Sequence, residues 1–258
     1  MNADPKFGTS VGRQAGAVND MHLGKAMHGL TLESPPNEAF SLVASTAEDD
    51  YTRAVGIAHR REYGQFFTPP KLAQLMADWV MGINPLTVLD PAFGTGILTA
   101  ACMEKDTNAS FLGYEKDPVI LQHARQCGRQ LSLKQEDFLS AEIECHFDAV
   151  VMNPPYIRHR EITGYEEERA MIGAMSGISI PKSANLYIYF AVKSLALLEP
   201  GGRAAILIPG EWMSANFSGS FKRFLLESRL LKQAILFSNC SNVFDDALTT
   251  ASVLLCEK

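Results

Sequence analysis

From Thr87 to Cys256 short apolar runs alternate with segments of helical spacing, and this alternation leaves few architectures open. Strands are predicted at Thr87–Asp90, Phe111–Glu115, Leu131–Leu133, Phe147–Met152, Arg203–Ile208, Leu231–Phe237 and Thr250–Cys256. Helices are predicted at Ile97–Lys105, after an Asp117-Pro118 cap, at Asn185–Leu198 and at Ser218–Glu227. Strands separated by helices can bury both faces of a sheet only if the sheet is mainly parallel, so the expected class is α/β, a doubly wound seven-stranded sheet. No crossover helix fits between the last two strands, and the final one is expected to enter antiparallel, as a hairpin.

Upstream, Thr68-Pro69-Pro70 reads as an N-cap with prolines in the first turn. Leu72, Leu75, Met76, Trp79 and Val80 then recur at helical spacing as far as Gly82. Another helix is expected near Glu48–Arg61. Residues 1–47 show no sustained period and carry the breaker Ser34-Pro35-Pro36-Asn37, which suggests a loosely ordered arm ahead of one domain over 48–258. The length of 258 residues suits one large domain with a modest extension.

Composition excludes several classes. No apolar run approaches the roughly 18 to 20 residues that span a membrane, and Met1–Ser10 lacks the apolar core of a signal peptide. A cytoplasmic protein without a membrane partner is expected. The five cysteines form no C-x-x-C pair and read as reduced core thiols, and the six histidines show no zinc-ligand spacing, so no metal is expected. The net charge of −6 argues against a surface that grips a phosphate backbone throughout. Any nucleic-acid contact must be local.

Two segments carry chemistry. Val88-Leu89-Asp90-Pro91-Ala92-Phe93-Gly94-Thr95-Gly96 places an acid at a strand's carboxyl end and glycines at the start of a helix, where ligands of open α/β sheets bind. Glu115 ends the next strand, where a carboxylate can accept both hydroxyls of a ribose. The spacing is not G-x-G-x-x-G and no G-K-[ST] follows, which disfavours a phosphate cradle. The second segment is Asn153-Pro154-Pro155-Tyr156, directly after the apolar strand Phe147–Met152. Its two prolines fix φ and remove two donors, leaving carbonyls available. The exocyclic amine of a nucleobase is a poor nucleophile because its lone pair is delocalised into the ring. The Asn153 side-chain oxygen and the Pro154 carbonyl can accept both of its N–H bonds, and Tyr156 can stack on the base. A plain Asn-Pro turn accounts for the prolines but not for all four residues at the functional edge of the sheet.

With these residues in place, the chain from Tyr63 onward resembles the gamma group of amino-methyltransferases acting on DNA, in which cofactor motifs precede a catalytic N-P-P-Y. The resemblance implies a Rossmann-like class I methyltransferase fold and S-adenosyl-L-methionine as cofactor. It implies that Phe66, Thr68 and Pro69, within Gly64-Gln65-Phe66-Phe67-Thr68-Pro69-Pro70, pack against the methionine part. It places Asp90, Ala92, Gly94 and Gly96 in the cofactor loop and Glu115 on the ribose. Asp137 would receive the adenine amine, and Phe138 would flank the adenine ring. Asn185-Leu186-Tyr187-Ile188-Tyr189-Phe190, Pro200-Gly201-Gly202 and the strand ending at Pro209 continue the match, and Phe217 falls where the group places an aromatic that stacks on an extruded base.

The reaction this implies is methyl transfer to adenine N6 in DNA, with the base rotated out of the duplex, in a restriction-modification setting with a cognate endonuclease. Cytosine N4 uses the same acceptor logic, and so does the side-chain amide of a protein glutamine. Ribosomal RNA is a further acceptor class, and a non-catalytic methyltransferase-fold subunit is the non-enzyme alternative. The F-x-T-P-P segment and the long insert Ile157–Ala184 favour DNA. Arg158, Arg160 and Lys182, with Lys222 and Arg223, are the candidate phosphate contacts. Because these are few and the chain is acidic, a separate or missing specificity domain or subunit is expected.

Overall fold

The computed structural model describes residues 46–106, 108–124, 131–238 and 250–258. The expected arm over 1–47 therefore lies, up to residue 45, outside the described residues, as do Cys127 and Cys240. Of the other thiols Cys102 and Cys256 are buried, while Cys145 is exposed and is no core residue.

Among the described residues, two helices precede the sheet. Helix α1 (Thr46–Glu62) is two pieces joined at Gly56, whose φ of 75° interrupts the helical ladder. Helix α2 (Pro70–Met81) buries Leu72, Met76 and Val80 on one stripe, as their spacing predicts. Its N-cap is Pro69 rather than Thr68: the Pro69 carbonyl accepts from the amides of Leu72 and Ala73, and the Thr68 hydroxyl is engaged elsewhere.

Seven strands make up the sheet: β1 (Thr87–Asp90), β2 (Ser110–Glu115), β3 (Leu131–Gln135), β4 (Phe147–Met152), β5 (Leu198–Pro209), β6 (Leu231–Ser238) and β7 (Thr250–Glu257). Their order is β3-β2-β1-β4-β5-β7-β6. All pairs up to β4–β5 are parallel. Strand β7 runs antiparallel to both neighbours, as expected, but it sits between β5 and β6 and separates them. The intervening helices are α3 (Ile97–Met103), α4 (Glu166–Ser176), α5 (Leu186–Ala196) and α6 (Gly219–Glu227). The segment after Asp117-Pro118 is a single 3-10 turn over Ile120–His123, with 125–130 outside the described residues.

One face of the sheet is sealed by α2 and α3, where Met76, Val80, Leu98 and Cys102 meet Val88, Phe111 and Val151. Helix α5 is buried from Leu186 through Leu195, so it is a core helix rather than an amphipathic one. Chain direction along the sheet reverses between β1 and β4. That is a topological switch point, and ligands of doubly wound sheets bind in the crevice outside the carboxyl ends of the strands there.

Candidate functional site

A cavity of about 450 Å³ opens at this edge. Its lining includes Phe66 and Thr68 ahead of α2, Ala92 and Gly94 after β1, Glu115 and Lys116 after β2, Asp137 and Phe138 after β3, and Asn153 and Pro155 after β4. Residues far apart in sequence meet there because each ends a strand or enters a helix at the same side of the sheet.

The turn after β1 depends on glycine. Gly96 has φ 81°, and a Cβ there would lie 2.5 Å from the Phe93 ring. The Gly96 amide donates to the Phe93 carbonyl at 2.8 Å, which closes the turn into α3. Asp90 does not line the cavity. It is buried beneath the turn, accepting from the Ala92 amide at 3.4 Å and the Thr99 hydroxyl at 2.9 Å. Burial pushes its carboxyl up to about 7, against the pull of those two bonds. Gly96 and Pro69 are likewise outside the lining and shape it from behind.

Glu115 faces the cavity with both oxygens held, Oε2 by the Gly94 amide and Oε1 by the Asp117 amide, each at 2.8 Å. Burial raises its pKa and the backbone donors oppose the rise. Asp117, read from sequence as a helix cap, does accept from the Val119 amide at 2.9 Å. Its Oδ2 also gathers Tyr51 at 2.6 Å, Gln65 at 2.8 Å and His59 at 2.9 Å. Burial of this carboxylate pulls its pKa upward, but those donors outweigh it and the net direction is down. With Glu48 accepting from the Thr95 hydroxyl, these bonds fasten α1 to the turns after β1 and β2.

Asp137 is more heavily engaged than its sequence setting suggests. Oδ1 accepts from the Leu139 amide at 3.0 Å, and Oδ2 accepts from Lys116 at 3.0 Å and from the Tyr165 hydroxyl. Burial and the neighbouring Asp137 push the Tyr165 phenol up to about 12. Tyr165 belongs to the insert between β4 and α5, and Glu161, Ile162 and Thr163 from the same insert line the cavity. Behind Phe138 stands Lys193, a buried residue of α5 whose ammonium donates to the carbonyls of Phe138 at 2.7 Å, Leu139 at 2.9 Å and Ala141 at 2.8 Å. Burial lowers its pKa to about 8, with the charges of Asp137, Glu136 and Glu168 opposing.

At the end of β4 the Asn153 amide donates through Nδ2 to the Phe66 carbonyl at 2.7 Å and to Thr68 Oγ1 at 3.0 Å. Its Oδ1 is buried and has no hydrogen-bond partner among the described residues. Pro154 is buried. The Tyr156 ring stacks on Phe66, with centroids 5.0 Å apart and planes at 28°, and its hydroxyl donates to the Leu207 carbonyl at 3.2 Å. Tyr187 meets Tyr156 edge-on, and Phe217 meets Tyr187 in the same way, so four rings run from Phe66 to Phe217. Arg158, Arg160 and Lys182 are exposed; Lys222 is turned inward to the Met213 carbonyl at 3.1 Å.

Among the described residues no cluster suits a metal ion, and no helix is long and apolar enough to cross a membrane.

The strand order, the antiparallel seventh strand and the cavity at the carboxyl edge of β1 to β4 define a Rossmann-like class I methyltransferase fold. The Eco57I restriction-modification methylase family matches residues 53–244, and the chain belongs to that family. The type II methyltransferase M.AccI of Acinetobacter calcoaceticus is 31% identical over 221 residues, covering 83% of this chain and 40% of its own length. M.HincII of Haemophilus influenzae is 23% identical over 182 residues, covering 70% and 34%. The chain thus spans well under half the length of these relatives. The structure of the type IIG restriction endonuclease BpuSI superposes with a TM-score of 0.58 at 19% identity, over 82% of this chain and 27% of that one, a likeness of fold.

Proposed function

We propose that this chain is the catalytic module of a DNA methyltransferase that moves a methyl group from S-adenosyl-L-methionine to the N6 amine of adenine, within a restriction-modification system. The observation that carries the reading is the Asn153 amide, both N–H bonds committed to Phe66 and Thr68 and the oxygen buried without a partner among the described residues. A buried acceptor left unsatisfied costs free energy, and such groups gather where a ligand will satisfy them.

The residues around the cavity fit the cofactor. Glu115, at the end of β2, would accept the ribose hydroxyls; Phe138 would flank the adenine ring; Asp137 would take the adenine amine; Phe66 and Thr68 would pack against the methionine end, with Asp90, Gly96 and Pro69 shaping the walls. The cofactor supplies an electrophilic methyl group. Asn153 Oδ1 and the Pro154 carbonyl would accept one hydrogen bond each from the two N–H groups of the adenine amine, which would localise the lone pair on the nitrogen and orient it for transfer. Phe66 takes one face of Tyr156, so an extruded base would meet the opposite face, with Phe217 at the far end of the ring series. Arg158, Arg160 and Lys182 meet phosphates beside the extruded nucleotide. Base reading rests on protein surface beyond these residues, a reading supported by the net charge of −6, and a cognate endonuclease completes the system.

Incubation with tritiated adenosylmethionine and separated DNA, RNA and protein acceptors tests the proposal. Label recovered as N6-methyladenine in DNA is expected; label confined to protein glutamine, to RNA or to cytosine N4 overturns it.

A further inference from the structure

Resting on the reading of Asn153 as the acceptor of the amine, we infer that the Thr68 hydroxyl is the positioning group that fixes Asn153 in its working orientation, a task separate from any contact Thr68 makes with cofactor. A carboxamide has two ends of similar size, and its terminal torsion is broad. One end must be pinned if the other is to serve as a fixed acceptor. The Phe66 carbonyl, 2.7 Å from Nδ2, can only accept, so it settles which end is nitrogen. A single bond still lets the amide plane swing. The second N–H diverges from the first and is caught by Thr68 Oγ1 at 3.0 Å, which removes that freedom.

The surroundings make the pair rigid. Thr68 is 4% exposed, so solvent is poorly placed to substitute for its hydroxyl. Phe66 and Thr68 lie on one short segment, and Gly64 at its start accepts from the Tyr156 amide at 2.9 Å. Gly64 has φ 64°, and a Cβ there would lie 2.8 Å from the Tyr156 nitrogen, so only glycine lets the two segments close. The segment that holds the amide and the turn that carries it are therefore sewn together at both ends. With both protons engaged, Oδ1 is the amide's remaining hydrogen-bonding group, buried and unpartnered.

The test uses Thr68→Val, nearly the same shape without the hydroxyl, and Thr68→Ser, which restores it. With the whole protein, unmethylated plasmid DNA and saturating tritiated adenosylmethionine, Thr68→Val should slow single-turnover transfer about tenfold, the scale of a modest loss of alignment. The KM for adenosylmethionine should stay within about twofold, and Thr68→Ser should recover most of the rate. A raised KM with an unchanged saturated rate overturns the inference, because Thr68 would then act through the cofactor alone. A second readout does not depend on turnover. The Asn153 side-chain amide signals, assigned by their loss in Asn153→Ala, should both resist hydrogen exchange in the native protein, and one should lose protection in Thr68→Val. Identical protection in the two proteins also overturns it. If the native protein methylates no adenine, the proposed function falls, and the exchange measurement alone decides whether Thr68 orients the amide.

Discussion

The two halves of the sheet's carboxyl edge are finished differently. On the side of β1, β2 and β3 three acids are held in place by the protein: Glu115 by two amides, Asp117 by three side chains and an amide, Asp137 by Lys116, Tyr165 and an amide. On the side of β4 the Asn153 oxygen is shut away from solvent with no hydrogen-bond partner among the described residues. A carboxylate pinned by several donors is fixed in place yet keeps lone pairs to spare, suited to a ligand that must be held without reacting. An unspent acceptor is suited to a group whose charge changes during the reaction, since a preorganised dipole is worth most where charge develops.

If that contrast is right, the largest effect follows from removing the unspent acceptor. Asn153→Ala should lower methyl transfer about a hundredfold, on the order of 3 kcal/mol, while calorimetric affinity for adenosylmethionine stays nearly unchanged. Near-normal turnover would erase the distinction between the halves. Glu115→Ala should act in the opposite sense, weakening cofactor binding by roughly 1 to 3 kcal/mol by calorimetry; an unchanged affinity would remove Glu115 from the ribose. Lys193→Met strips the donor from three buried carbonyls behind Phe138 and should lower unfolding free energy by about 1.5 kcal/mol in urea titrations at pH 7. Unaltered stability would mean that those carbonyls find other donors.

The last effect is one of pH and leaves the site's contacts in place. Folded Asp90 keeps its proton up to about 7, against an ordinary value of 3.8, so between those values the native state binds more protons than the unfolded chain. Its contribution to stability therefore falls as pH rises through that window and is level above it. In Asp90→Asn that component disappears, and the variant's stability relative to the native protein should climb from pH 4 to 7 and then flatten. A flat difference throughout would show that Asp90 does not titrate there.

Much of the frame was legible in the sequence because it is written in local periods. Seven strands and the antiparallel last one follow from apolar runs and from the missing crossover before Thr250. The slot taken by β7 does not, since its pairing with β5 is settled by packing across the sheet. At the site, the residue types at strand ends could be read, and their partners could not. Thr68 reads as a cap because of the prolines that follow, yet its hydroxyl goes to Asn153. Tyr165 lies in an insert without a periodic signal and bonds directly to Asp137 in the cavity lining. Lys193 sits inside Tyr187-Ile188-Tyr189-Phe190-Ala191-Val192-Lys193, where the pattern says only core helix. Such pairings depend on which chain ends share an edge, and no window of sequence holds that.

The placement of β7 also bears on how the chain is made. Strand β5 leaves the ribosome before β6 and β7, but its neighbour on one side is the last strand of the sheet, and among the described strands β6 pairs with β7 alone. Until Thr250–Glu257 has emerged, β5 has an open flank along Arg203–Pro209, an apolar row of the kind that nascent chains pair with wrongly. This half of the sheet is thus completed by insertion into a waiting gap, and during synthesis that gap is where a chaperone would have most to protect.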